Sequence, residues 1–248
     1  MDGYLVRVMT VPVLRLDPDL GAGIARGRRW NLAERSCLAQ TVEISRGAWE
    51  ADKVARSGFG LLVVSGILSR RVVQNECHGA ELVGPGDLLR PWDRVGDWAS
   101  IPTEASWLVI ERARVAILDE DFARRAAPFP EIALALIRRG LLRSRYLAIL
   151  VAIISQRRIE SRLTMLFWHL ADRFGQRRGQ WVSVPVPLTH RLLSELVAAR
   201  RPSVTTALSR LQERGVLRRE GSGWLVHAPA PVPDRELPSE IEDVALRL

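Results

Sequence analysis

Residues 188–226 carry two helical periods followed by a hairpin, and few folds accommodate that order at this spacing. Within 201–214, Val204, Leu208 and Leu211 recur at i, i+4 and i+7, so they share one face of a helix. Pro202 stands in the first turn, where a missing N–H is no loss, and Gly215 closes the segment. A shorter helix over 189–197 precedes it, with Thr189 as N-cap. Segments 216–219 and 224–227, joined by Gly221-Ser222-Gly223, predict a two-stranded wing. Upstream, 159–174 reads as another helix and 181–186 as an extended segment broken by Pro185 and Pro187. Gly175 and Gly179 mark an exit between the two.

If Val204, Leu208 and Leu211 face inward, then Arg201, Ser203, Thr205, Thr206 and Ser209 face outward. That set suits the major groove of DNA. An arginine fork matches guanine O6 and N7, and Thr or Ser can meet bases or phosphates. Arg201 is the leading candidate to read a base, with Thr205 and Thr206 beside it. Thr189, His190, Arg191 and Arg200, at the N-terminal ends of the two helices, are placed to hold phosphates. Arg218 and Arg219 on the wing add candidate backbone contacts. Charge agrees: the formal net charge is +8, and residues 155–228 alone hold 13 Arg against 5 acids. Such a surface favours a polyanionic partner, here double-stranded DNA. The competing reading is a ligand-binding or protein-interaction module whose helix-turn-helix is architectural; neutral or acidic residues on the outer face would favour it.

The N-terminal half has a different rhythm. Residues 1–35 look partly helical around a loop at 17–23. From about 41 to 119 short strands follow: 59–64 and 67–73 hinged at a Ser65-Gly66 hairpin turn, then 80–83, 105–111 and 113–118, with Gly84-Pro85-Gly86-Asp87 as a loop. This predicts a small sandwich or barrel. Helical periodicity resumes after Pro130. Tyr146, Leu147, Leu150, Val151, Ile153 and Ile154 leave the helix hardly any polar face, which points to the same helix of a second copy as its cover; the alternative is a central helix inside one chain's own core. The expected organisation is therefore α+β: a β-roll over 1–130, a dimerisation helix region over 131–158, a winged helix-turn-helix over 159–228 and a flexible acidic tail over 229–248.

The residues resemble the Crp/Fnr superfamily of bacterial transcription regulators over nearly the full length. Leu188-Thr189-His190-Arg191-Leu192-Leu193-Ser194-Glu195-Leu196-Val197 is similar to the first helix of that family's motif. Arg201-Pro202-Ser203-Val204-Thr205-Thr206-Ala207-Leu208 sits where members carry Arg-Glu-(Thr/Ser)-Val-(Ser/Gly)-Arg-x-Leu. Arg162-Leu163 and 170–175 resemble the helix leaving the dimer interface, and the turns at Ser65-Gly66 and 84–87 resemble those of a cyclic-nucleotide-binding-like β-roll. The resemblance implies a homodimer on a two-fold operator, with RNA polymerase as a further partner. Pro202 and Thr206 depart from the family's reading set, leaving Arg201. Across 94–106 the chain has Gly96-Asp97-Trp98-Ala99-Ser100 and no Arg-Ser to hold a cyclic phosphate, so a cyclic nucleotide is not expected. The cysteine cluster of iron–sulfur members is missing as well.

Other polar groups read as structural. Cys37 and Cys77 are too few for a disulfide framework, and Cys77-His78 is too small a set for a metal. His169 beside Phe167 and Trp168 reads as packing, and Asp119-Glu120-Asp121 as a helix start. Arg90 and Arg94 read as solvated surface, with an anion contact as the alternative, and Trp92, Trp98 and Trp107 as core, with the lining of a ligand pocket in the β-roll as the alternative. No Ser/His/Asp grouping, phosphate loop or nucleotide fingerprint is found, so neither an enzyme nor a cofactor is expected. The most apolar run, 146–154, is too short for a membrane span, which needs ~20 residues, and the expected location is the cytoplasm.

Overall fold

The computed structural model describes residues 5–51, 54, 57–74, 77–91 and 104–227. The acidic tail and Trp92, Arg94 and Trp98 lie outside these residues, as do the side chains of Cys77 and His78. The N-terminal unit is an antiparallel β-roll. Its strands are β1 (Leu5–Pro12), β2 (Leu38–Ile44), β3 (Gly47–Trp49), β4 (Gly60–Gln74), β5 (Cys77–Val83), β6 (Leu88–Leu89) and β7 (Glu104–Leu118). They run in the order β1-β2-β7-β4-β5, with β3 paired to β7 and β6 to β4. Between β1 and β2 lie α1 (Val13–Leu16), a 3-10 turn (Pro18–Gly21) and α2 (Arg28–Ser36).

Residues 1–35 are partly helical, in α1, the 3-10 turn and α2, but residues 5–12 form β1: rich in Val and Thr, they pair with β2 from Leu5↔Ile44 to Pro12↔Leu38. Ser65-Gly66 is not a hairpin turn: β4 runs straight through it, paired with β7 from Gly60↔Leu118 to Val73↔Glu104. The register shifts around Ser65 and Ile67 are bulges in one long strand. Gly66 has φ +85°, and a Cβ there would fall 2.4 Å from the Arg112 carbonyl oxygen. The glycine serves close backbone approach. Segments 105–111 and 113–118 likewise join into the single strand β7.

Alternation along β4 feeds two cores. Leu61, Val63 and Leu68 pack inside the roll with Ile44, Val83 and Val115. Leu62 faces the other way, onto Val13, Leu14, Phe122 and Ile132. Trp107 packs edge-on against Trp49 at 5.9 Å, as core. Cys37 is buried, and burial pushes its thiol up to about 11, so it stays protonated at neutral pH. The roll closes with α3 (Glu120–Ala126), whose N-cap Asp119 accepts the Phe122 N–H at 2.8 Å, in line with the helix-start reading.

The long helix α4 (Pro130–Ile154) follows, then α5 (Ile159–Phe174). The C-terminal unit adds β8 (Gln176–Arg178), β9 (Trp181–Val184), α6 (His190–Leu196), α7 (Arg201–Glu213), β10 (Leu217–Glu220) and β11 (Gly223–His227). Its sheet order is β10-β11-β9-β8, so the expected two-stranded wing is part of a four-stranded sheet. The missed strand is β8: Gly179, with φ +64°, turns a hairpin where an exit was expected.

The two units share a core. Ile67, Leu82 and Ile110 of the roll and Ile153 of α4 pack with Leu163, Phe167, Leu192, Leu208 and Trp224. At its edge Arg173 of α5 pairs with Asp87 at 2.6 Å, each side chain 8% exposed, and donates to the Leu82 carbonyl at 2.8 Å. Burial pushes the Asp87 carboxyl up, against the pull of Arg173 and the Gly84 N–H. Close by, Tyr146 of α4 stands edge-on to the buried His169 at 5.5 Å, under the Arg173 guanidinium.

His169 reads the pH of this junction. Burial, then the Arg173 charge, lowers its pKa from 6.5 to about 4. The folded value lies below the unfolded one, so its contribution is complete above about pH 6.5 and is lost as pH falls toward 4. Between pH 7 and 5 the wild type should lose about 2 kcal/mol more stability than His169→Gln, measured by urea unfolding at both pH values. Parallel losses in the two proteins would contradict the assignment.

Candidate nucleic-acid interface

The geometry starts at the turn between α6 and α7. Thr189 accepts the Leu192 N–H at 3.2 Å and fixes the start of α6, while Leu192, Leu193 and Leu196 are buried beneath it. The chain leaves α6 through Ala198 at φ +49°, a left-handed conformation that costs a non-glycine residue about 1 kcal/mol or more. Arg162 of α5 holds this turn. Its Nη1 donates to the Val197 carbonyl at 3.0 Å and the Ala198 carbonyl at 3.2 Å, and its Nε donates to Gln156 at 2.7 Å. These groups at the helix end would otherwise lack partners. The sequence flagged Arg162 only through resemblance; its part in the turn depends on contacts 35 residues away.

Beyond the turn, α7 buries Val204, Ala207, Leu208 and Leu211. Arg201, Pro202, Ser203, Thr205, Thr206 and Ser209 are all exposed on the opposite side. Arg200 and Arg201 have no ion-pair partner among the described residues. Three of the four hydroxyls donate back along the helix: Thr205 to the Arg201 carbonyl (3.1 Å), Thr206 to Pro202 (3.2 Å) and Ser209 to Thr205 (3.2 Å). His190 Nδ1 lies 3.0 Å from Thr205 Oγ1. With the Thr205 hydrogen committed to Arg201, the imidazole is the donor, and this bond ties the start of α6 to α7. Arg191 is 72% exposed and paired with Glu195 at 3.3 Å.

The wing arginines are held by rings. Arg218 lies 4.4 Å over Trp181, and Arg219 lies 4.7 Å over Trp224 while donating to the Leu188 carbonyl at 3.3 Å. Sequence reading named both arginines and neither tryptophan. The His190–Thr205 contact joins the start of α6 to α7, and the Arg219 bond to Leu188 brings the wing to the residue before Thr189.

The α4 residues divide. Leu147 and Val151 are exposed, at 39% and 60%, and Ile154 is half-buried. Tyr146, Leu150 and Ile153, expected to meet a second copy, instead pack within the chain: Tyr146 on His169, Leu150 and Ile153 into the shared core. The reason is that α5 folds back after residues 155–158 and takes that face. The open stripe runs from the expected Val151 back to Leu141, Ile137 and Leu134. Their spacing of 3, 4 and 10 follows a heptad seam, a signal present in the sequence.

Among the described residues no group of three or more His, Cys, Asp or Glu could hold a metal, and no helix is long and apolar enough to cross a membrane. Residues 161–230 match the family of Crp-like helix-turn-helix domains. Over 168 residues the chain is 27% identical to a CRP-like cAMP-activated global transcriptional regulator of Mycobacterium tuberculosis, covering 66% of this chain and 74% of that protein. Among solved structures, a cyclic nucleotide-binding domain containing protein from Listeria monocytogenes superposes with a TM-score of 0.64 at 16% identity, over 86% of this chain and 97% of that one. A mutant of CooA from Carboxydothermus hydrogenoformans gives 0.61 at 14% identity, over 85% and 91%. These two show a shared fold.

Because three bonds converge on Arg162, Arg162→Ala should destabilise the chain by about 1.5–3 kcal/mol in urea unfolding. An unchanged urea midpoint would remove the turn from its charge.

Proposed function

The chain belongs to the Crp/Fnr superfamily of transcription regulators, and we propose that it binds a two-fold operator as a homodimer through α6, α7 and the wing. One observation carries the reading: α7 has a wholly buried inner face and an outer face that presents, among exposed hydroxyls, an Arg201 without an ion-pair partner among the described residues. Arg201 reads a base, with Thr205, Thr206 and Ser203 beside it. Thr189, His190, Arg191 and Arg200 hold phosphates, and Arg218 and Arg219 add backbone contacts. Pro202 and Thr206 alter the reading set, so the operator differs from those of relatives with Glu and Arg at these places.

The seam Leu134, Ile137, Leu141 and Val151 supports pairing of two α4 helices, which would set two copies of α7 about 34 Å apart, one turn of duplex. RNA polymerase and a cytoplasmic setting complete the proposal. The mycobacterial relative is named for cAMP activation; for this chain we propose a different effector, because Gly96-Asp97 is followed by no Arg-Ser pair.

Affinity for a duplex carrying the operator should fall steeply with salt, since each phosphate contact releases a counterion. Arg201→Ala should cost about 1–3 kcal/mol at one base position and relax specificity there, whereas Arg191→Ala should weaken all sequences alike. Saturating cAMP should leave these binding curves unmoved. A flat salt response, or identical behaviour of the two variants, contradicts the assignment. In sedimentation, the wild type should run as two chains, and Leu141→Glu combined with Val151→Glu as one. A dimer that survives both charges places the interface elsewhere.

A further inference from the structure

The winged-helix unit is tied to the β-roll by a carboxylate that also touches the proposed phosphate clamp. Glu195 of α6 meets Arg71 of β4 through Oε2 at 2.7 Å and Arg191, one turn back, through Oε1 at 3.3 Å. The Glu195 side chain is 12% exposed and that of Arg71 23%, so these charges are only partly screened by solvent. Arg191, by contrast, stands out in solvent. Neither Arg71 Nε nor Glu195 Oε2 makes an aligned hydrogen bond, so their attraction rests on charge and proximity.

We propose that Arg71 is a positioning residue for DNA binding: by neutralising Glu195 it leaves Arg191 free to attract phosphate, so docking of the β-roll on α6 tunes affinity. The charge count gives the sign. With Arg71 in place, Glu195 is spent on its nearer partner, at 2.7 Å against 3.3 Å, and Arg191 keeps its charge. Without it, Glu195 and Arg191 cancel. The pair spans two units, so a shift of β4 against α6 alters the field at the clamp without moving α7. Ser69, two residues before Arg71 on β4, is buried with its hydroxyl unpartnered. Unpartnered polar groups weaken such a contact and make it separable.

The inference rests on the reading that α6 and α7 meet duplex DNA. A phosphate contact is blind to sequence, so a labelled mixed-sequence duplex of about 30 base pairs serves as probe. Binding of the full chain is measured at several salt concentrations for the wild type, Arg71→Gln, Glu195→Gln and the double variant. Arg71→Gln should weaken binding by about 3- to 10-fold and make the salt slope shallower by up to about one unit. Arg71→Lys should bind like the wild type. In the Glu195→Gln background, where no carboxylate is left to neutralise, Arg71→Gln should cost clearly less than it does with Glu195 present. Equal losses in both backgrounds, or no loss with Glu195 present, overturn the proposal. Should Arg71→Gln not fold, Arg71→Met takes its place with the same expectations. If Arg191→Ala weakens binding and Arg71→Gln does not, the coupling alone is wrong. If Arg191→Ala binds as tightly as the wild type, the phosphate clamp is wrong and the coupling falls with it.

Discussion

A helix that buries Val204, Ala207, Leu208 and Leu211 has no choice about what it shows. At 3.6 residues per turn, those positions fix Arg201, Thr205, Thr206 and Ser209 on the far side. The inner face is held by Leu163, Phe167, Leu193 and Trp224, so the orientation of the outer face derives from core packing. Burying each such side chain contributes roughly 1.5–3 kcal/mol. No polar contact on the reading face needs to position the helix. The surface is a by-product of the core, and the Arg162 clamp and the His190–Thr205 bond only refine its angle.

The same core reaches past the domain boundary. Ile67, Leu82 and Ile110 pack with the winged helix, and Arg173–Asp87 and Arg71–Glu195 flank them. Apolar contact of this kind is non-directional and tolerates sliding, whereas ion pairs are sensitive to distance. A small rotation between the units would therefore cost little apolar burial while changing the pairs considerably. The junction is thus adhesive yet able to register displacement.

What was legible in the sequence follows from range. The α6–α7 turn, the Thr189 and Asp119 caps and the wing strands are fixed by residues a few positions apart, and local patterns found them. Ser65-Gly66 was misread because glycine at positive φ marks both turns and bulges. The Arg112 carbonyl, on a strand distant in sequence, decides between them. Gly179 misled in the opposite sense: it turns a hairpin whose short partner, β8, carries no apolar signal, being Gln-Arg-Arg. On α4, apolar density in 146–154 called for a cover without separating a second copy from the chain's own core, and Leu147 and Val151 stay exposed. The chain's own α5 claims Tyr146, Leu150 and Ile153. The open seam begins a dozen residues earlier, at Leu134 and Ile137, where Arg138, Arg139 and Gly140 dilute the local density.

Charge gives a similar lesson about sums and positions. Residues 155–228 carry a net +8, but that total does not say where positive charge is available. Glu160 takes Arg210 and Arg214 at the far end of α7, each at 3.2 Å. Glu220 takes Arg178 at 3.2 Å and also receives the Ser183 hydroxyl. Glu195 divides itself between Arg71 and Arg191. These carboxylates draw off arginines around the rim and leave Arg200 and Arg201, at the start of α7, without a partner among the described residues. The helix dipole adds positive potential at that same end, since it leaves backbone N–H groups pointing outward. Net charge sums over the domain; the pattern of neutralised arginines decides that the unpaired positive charge among the described residues gathers at the N-terminus of α7.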